Sequence, residues 1–189
     1  MVRQLAHNGL VILDRDGVIN RDSSAFVKSA DEWLPLPGSI EAIARLDRAG
    51  FTVAVASNQS GLARGLVDRS ALRSMHRKMR RLVAAEGGHI ARIVVCPHGP
   101  DEGCRCRKPG TALLERLARF FGCSLRAVPV IGDSLRDLQA AKAAGARPIL
   151  VRTGNGRKTE PRLPEALRAT EIFDDLGAVA GALIEEARS

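Results

Sequence analysis

Short runs of unbroken apolar residues alternate along this chain with longer stretches whose apolar residues recur every three or four positions. The runs at 10–13 (LVIL), 51–56 (FTVAVA), 90–95, 128–131 and 148–151 are predicted as strands buried on both faces, and a weaker segment surrounds Ile172. The periodic stretches are predicted as helices. Residues 39–49 place Ile40, Ile43, Ala44 and Leu46 on one face, with Ser39 as N-cap and Gly50 as stop. Residues 68–86 form a long basic helix with Leu72, Met75, Met79, Leu82 and Val83 inward, closed by Gly87–Gly88. Residues 111–121 turn Leu113, Leu114, Leu117 and Phe120 inward, and 135–144 and 176–187 are also helical. Strands alternating with helices predict an α/β fold, a three-layer, doubly wound, mostly parallel sheet covered on both faces. No repeat or linker divides the 189 residues, so a single domain spanning 1–189 is expected.

Polar clusters stand where the apolar runs end. The first run is followed by Asp14-Arg15-Asp16-Gly17, the second by Ser57-Asn58-Gln59-Ser60, and the fourth by Gly132-Asp133 with Asp137 beyond it. In a doubly wound sheet, the carboxyl ends of the strands share one edge, so these clusters converge on one crevice. Asp14, Asp16 and Asp133 are hard oxygen donors suited to Mg²⁺, and a carboxylate can also attack phosphorus. The Ser57 hydroxyl and the Lys108 ammonium suit phosphoryl oxygens. Taken singly, each has a plain alternative: an Asp-Gly turn, a Ser-Asn turn, Asp133 as helix N-cap, Lys108 as a solvated charge. Their joint appearance after three strands is what favours a site.

Composition narrows the chemistry. The net charge of +8 suits a phosphorylated substrate or a nucleic acid, and Arg grips phosphate as a fork. Aromatic residues are only 3%, with no Tyr, which leaves little to stack bases and disfavours a basic nucleic-acid-binding module. No apolar run is long enough to span a bilayer, and a cytoplasmic location with no membrane partner is expected. Cys96, His98, Cys104 and Cys106 fall within eleven positions of a loop rich in Gly, Pro and charge. Three thiolates and one imidazole complete a tetrahedral set, which favours a structural Zn²⁺ over four unrelated groups. Such a centre would stiffen the loop that presents Arg107 and Lys108. Cys123 is expected to be a core or partly buried thiol.

The succession DRDGVIN, SNQSG, RKP and GDSLRD resembles the four motifs of the haloacid-dehalogenase superfamily of phosphatases. That resemblance implies Asp14 as nucleophile, forming an aspartyl-phosphate, and Asp16 as general acid/base. It implies Ser57 and Lys108 as stabilisers of the transferring group. Asp133, Asp14 and the Asp16 backbone carbonyl would hold Mg²⁺, with Asp137 in support. CPHGPDEGCRCRKP, joined to those motifs, looks like the bacterial D-glycero-D-manno-heptose-1,7-bisphosphate 7-phosphatase family, whose members act in lipopolysaccharide heptose precursor synthesis. By this resemblance the segment Asn20 to Ala25 (with Asp22, Ser23, Ser24 and Ala25), then Ser57, Asn58, Gln59 and Ser60, then Arg107 and Lys108, would contact a small phosphorylated sugar. Many family members carry Lys directly after the last-motif Asp; here it is Ser134, so one positive contact is missing. The related histidinol-phosphate phosphatases are the alternative, but an amine substrate calls for acidic walls and these loops are Arg-rich. Neither inter-motif segment has room for a separate cap domain. An open site on a monomer is therefore expected, with Arg64, Arg107 and 154–158 as candidates for a second phosphate.

Overall fold

A computed structural model describes residues 9–23 and 25–189. Its centre is β1 (Leu10–Leu13), flanked by β2 (Thr52–Asn58) on one side and β4 (Pro129–Gly132) on the other. Outward from β2 lies β3 (Arg92–Cys96), and outward from β4 lie β5 (Arg147–Val151) and β6 (Glu171–Phe173). Every pairing is parallel, in the order β3-β2-β1-β4-β5-β6. The first strand thus lies in mid-sheet, and the chain then winds to one edge and returns to wind to the other. The weak segment at Ile172 is a true edge strand.

Alternation along β1 splits the core. Val11 and Leu13 face α1 (Ser39–Arg48), α2 (Arg69–Ala85) and α6 (Leu176–Glu186). Leu10 and Ile12 face α3 (Ala112–Phe121) and Ala140 and Ala141 of α4 (Leu135–Ala143). With both faces covered, β1 is apolar throughout, which is why it reads as a run and not as an alternation. A short α5 (Gly156–Thr159) and two 3₁₀ turns occupy the region after β5 that reads as a loop.

Two local expectations are corrected. Ser39 does not cap α1: that position belongs to Gly38 at φ 74°, and the buried Ser39 hydroxyl donates to the carbonyls of Ile19 (2.6 Å) and Leu36 (2.8 Å). It ties the entry loop to the helix start. On α3 the buried aromatic is Phe121, following Leu113, Leu114 and Leu117 round the helix. Phe120 lies at the rim, where the Arg92 guanidinium sits 4.3 Å from its ring centroid. The loop between β1 and α1 is anchored by the fully buried Trp33 and by Lys78, which donates to the Ala30 and Trp33 carbonyls.

Candidate active site

Register sets the geometry. Leu13 lies beside Val55 and Ile131, and the Asp14 N–H donates to the Ile131 carbonyl at 2.8 Å. Asp14, Ser57 and Asp133 therefore leave the sheet at nearly one level. Oxygens of Asp14, Asp133 and Asp137 lie within 4.8 Å of one another. Burial, then repulsion from Asp137 and Asp14, pushes the Asp133 carboxyl up to about 8; burial, partly offset by Lys108, pushes Asp14 up to about 7. A cation bound between Asp14 and Asp133 would favour their charged forms.

Asp133 is held from behind. Its Oδ2 accepts from the Asn155 backbone N–H (2.7 Å) and Nδ2 (3.2 Å), and Thr159 donates to its carbonyl. Gly17 and Gly154 make room for it: a Cβ at either would stand 2.1 or 2.2 Å from Oδ2, and both residues have positive φ. The carboxylate trio with one edge toward the cavity is a donor set that fits Mg²⁺.

Lys108 is the cation built into the fold. Its ammonium is buried and meets Asp137 Oδ1 at 2.5 Å, Asp14 Oδ1 at 2.9 Å and the Ala56 carbonyl at 2.8 Å. Burial lowers its value, but the Asp137 and Asp14 carboxylates outweigh that and hold it charged, above the ordinary lysine value. Asn58 fastens the Lys108 backbone at both ends: its Nδ2 donates to the carbonyl (3.1 Å) and its Oδ1 accepts the N–H (3.0 Å). Asp137, one turn into α4, also accepts from the Ser134 hydroxyl and N–H, so it joins the helix start to Lys108.

Asp16 is placed differently from expectation. Its carboxylate is absent from the trio; Asp137 is the third member. It accepts from Arg15 through Nε and Nη2, from Asn20 Nδ2 (2.9 Å) and from Gln59 Nε2 (2.9 Å). Burial opposes ionisation, but Arg15 and these donors outweigh it and keep the carboxyl below its usual range. Only the expectation for its backbone carbonyl is left open to a metal.

A cavity of about 170 Å³ opens onto these groups. Asp14, Asp16, Asp22, Ser23, Asn58, Gln59, Ser60, Arg107, Lys108 and Asp133 line it as expected. Ser57 is buried behind Gln59, whose Nε2 donates to its hydroxyl at 2.8 Å, and neither Ser57 nor Ala25 lines the cavity. Ser24 lies outside the described residues. Arg15, Phe26 and Arg136 also line it and were not among the expected site residues, while Asn155 comes from the 154–158 segment named for a second phosphate. Phe26 holds φ 65°, a left-handed backbone that costs a non-glycine residue about 1–3 kcal/mol and that clusters at functional sites.

In the loop after β3, Sγ–Sγ separations are 3.6 Å for Cys96–Cys104, 3.6 Å for Cys104–Cys106 and 3.1 Å for Cys96–Cys106. His98 Nδ1 stands 3.6 and 3.2 Å from Cys96 and Cys106. A tetrahedron with Zn–S bonds of 2.3 Å has edges of about 3.8 Å, so the set fits zinc after small expansion.

A six-stranded parallel sheet with Asp14, a buried Lys108 and a carboxylate trio at one edge fits a hydrolase of the haloacid-dehalogenase type. A HAD-hydrolase-like family model matches residues 105–179. The D-glycero-beta-D-manno-heptose-1,7-bisphosphate 7-phosphatase of Bordetella bronchiseptica is 57% identical over 94% of this chain and 99% of its own length. That of Pseudomonas aeruginosa is 54% identical over 93% and 98%. The crystal structure of the Bordetella bronchiseptica D,D-heptose 1,7-bisphosphate phosphatase, complexed with magnesium and phosphate, superposes with a TM-score of 0.90 at 56% identity, over 94% of this chain and 99% of that one. The chain belongs to the D-glycero-beta-D-manno-heptose-1,7-bisphosphate 7-phosphatase family.

Proposed function

We propose that this chain hydrolyses the 7-phosphate of D-glycero-β-D-manno-heptose 1,7-bisphosphate through an aspartyl-phosphate on Asp14. The observation that carries the reading is Asp14 itself, set between a buried ammonium and two further carboxylates in a chain 57% identical to a phosphatase of that name. Asp14, Asp133 and the Asp16 carbonyl would hold Mg²⁺, with Asp137 fixing Lys108 behind them. When bound, the cation neutralises repulsion between the Asp14 carboxylate and the phosphoryl oxygens. Asp14 attacks phosphorus, and the P–O bond to the sugar breaks as Asp16 gives the leaving oxygen a proton. Asp16 then takes a proton from the water that attacks the phosphoenzyme, releasing phosphate and restoring Asp14.

The bonds from Arg15, Asn20 and Gln59 describe Asp16 in its basic form, ready for the second half. The first half requires it to leave those donors and carry a proton. Lys108, fixed by Asn58, offsets charge on the transferring group, and Ser57 acts through Gln59 unless that side chain moves aside. We also assign a zinc ion to Cys96, His98, Cys104 and Cys106, where it braces the loop bearing Arg107 and Lys108. The same reading makes the chain a cytoplasmic monomer. Among the described residues only Leu34 and Leu66 are large exposed hydrophobics, which gives an apolar partner little to cover.

Phosphate release with Mg²⁺ tests the proposal, using both heptose 1,7-bisphosphate anomers, histidinol phosphate and an Asp14→Asn control. Preference for a heptose bisphosphate that vanishes in Asp14→Asn is the expected result. Preference for histidinol phosphate would keep the mechanism and change the substrate.

A further inference from the structure

We infer that Arg136 is a specificity residue that, facing Arg107, grips the phosphate that is not hydrolysed. The inference rests on the bisphosphate reading above. A second hollow of about 380 Å³ adjoins the nucleophile's cavity, and the two share three lining residues: Arg107, Lys108 and Arg136. The nucleophile's cavity is small beside the ~300–1,000 Å³ of an ordinary small-molecule site, so a sugar with two phosphates has to extend out of it. The acidic side is closed to a second anion, because Asp16, Asp22 and the carboxylate trio line it. The shared cationic wall is the exit that charge favours.

Of the four cations lining either hollow, two are already engaged. Arg15 is buried against Asp16, and Lys108 is spent on Asp14 and Asp137. Arg107 is half-buried and donates to the His98 carbonyl through one Nη at 3.3 Å, leaving most of its fork available. Arg136 is exposed and, among the described residues, has no carboxylate partner. It contrasts with Arg147 and Arg152, each bridged to two carboxylates. An uncommitted guanidinium keeps its full fork for a phosphate and loses no internal ion pair on binding.

The rival positions are worse placed. Arg64 is turned over the Phe26 ring, 5.6 Å from its centroid, and lines neither hollow. Within 154–158 only Asn155 reaches the site, and its side chain is taken by Asp133 and Asp22. The opposite wall of the second hollow is Gly99, Pro100, Gly103 and Cys104 of the thiolate loop, so the same loop that bears Arg107 shapes the subsite. Arg136 also stands two residues after Ser134, on the same first turn of α4, and supplies from there a positive charge that Ser134 lacks.

The test compares kcat/KM for heptose 1,7-bisphosphate with that for heptose 7-phosphate, which lacks only the second phosphate. Arg136→Ala lowers the bisphosphate-to-monophosphate ratio about tenfold or more, as expected for one charge-assisted bond, and does so through KM. Arg136→Lys falls between, because a point charge replaces the fork. An unchanged ratio, an equal loss on both substrates, or a fall produced by Arg64→Ala instead would each overturn the inference. A parent enzyme without preference for the bisphosphate overturns the proposed substrate, and that is read before any variant is compared.

Discussion

Replacing Lys108 with Met keeps the volume of the side chain and removes its charge. Two carboxylates at 2.9 and 2.5 Å lose their partner in a buried setting, and the Ala56 carbonyl loses its donor. Breaking a buried ion pair by deleting one member costs about 3–5 kcal/mol, and a stranded carbonyl adds roughly 1–3 kcal/mol. The cost depends on pH. Asp14 is raised to about 7 even with the lysine present, so without it the carboxyl stays protonated higher still. The folded variant then binds that proton more tightly than the unfolded chain does, so its stability falls as pH rises from about 4 through the folded value. Relative to the parent, which also holds Asp14 protonated near pH 5.5, the charge penalty is smaller there than near pH 8.5, where it reaches about 4 kcal/mol or roughly 10 °C in Tm for a chain of this size. Urea unfolding at both pH values, in Mg²⁺-free buffer without chelator, reads the difference. Adding Asp137→Asn recovers part of the loss at pH 8.5 without restoring turnover. A penalty below about 1 kcal/mol at pH 8.5, or one independent of pH, would refute the assignment of Lys108 as the cation balancing Asp14 and Asp137.

Three further expectations bear on the metal sites. Mg²⁺ raises Tm more at pH 8 than at pH 5.5, because Asp14 and Asp133, raised to about 7 and about 8, must lose protons to bind it; equal shifts in thermal unfolding would contradict this. Gly154→Ala drives a Cβ to 2.2 Å from Asp133 Oδ2 at a positive φ, costing about 1–3 kcal/mol and most of the Mg²⁺-induced Tm shift, both read by calorimetry. If zinc sits on the thiolate set as assigned, Cys106→Ser lowers the zinc a chromophoric chelator recovers relative to the parent protein, and lowers Tm; full retention of zinc would remove Cys106 from the ligand set.

The fold was legible because each strand near the centre is covered on both faces and announces itself as an unbroken apolar run. β6 was only half visible, since an edge strand of three partly buried residues, Glu171–Phe173, has little to repeat. The choice between Phe120 and Phe121 depended on where α3 crosses the sheet, and periodicity allows either. Ser39 has the residue type of an N-cap, but its hydroxyl is claimed by the Ile19 carbonyl twenty residues earlier and by that of Leu36. Local propensity has no access to that contact.

The site was legible at the level of strand ends and not at the level of side-chain direction. Asp14 and Asp16 share a spacing that suggests one shared role, yet only Asp14 stands in the carboxylate trio. What separates them is Arg15, whose buried fork draws Asp16 toward Asn20 and Gln59. Its place in the trio passes to Asp137, whose position follows from the first turn of α4 and from Lys108, a residue on a loop far along the chain. Arg136 escaped notice for the same reason: a charged residue on a helix's first turn looks like solvent-facing charge until the opposite wall is known. That wall is the thiolate loop, so whatever fixes the loop also fixes the distance between Arg107 and Arg136. Loosening the loop should therefore act on the grip of the second phosphate before it acts on the chemistry at Asp14, whose own lysine is separately pinned by Asn58.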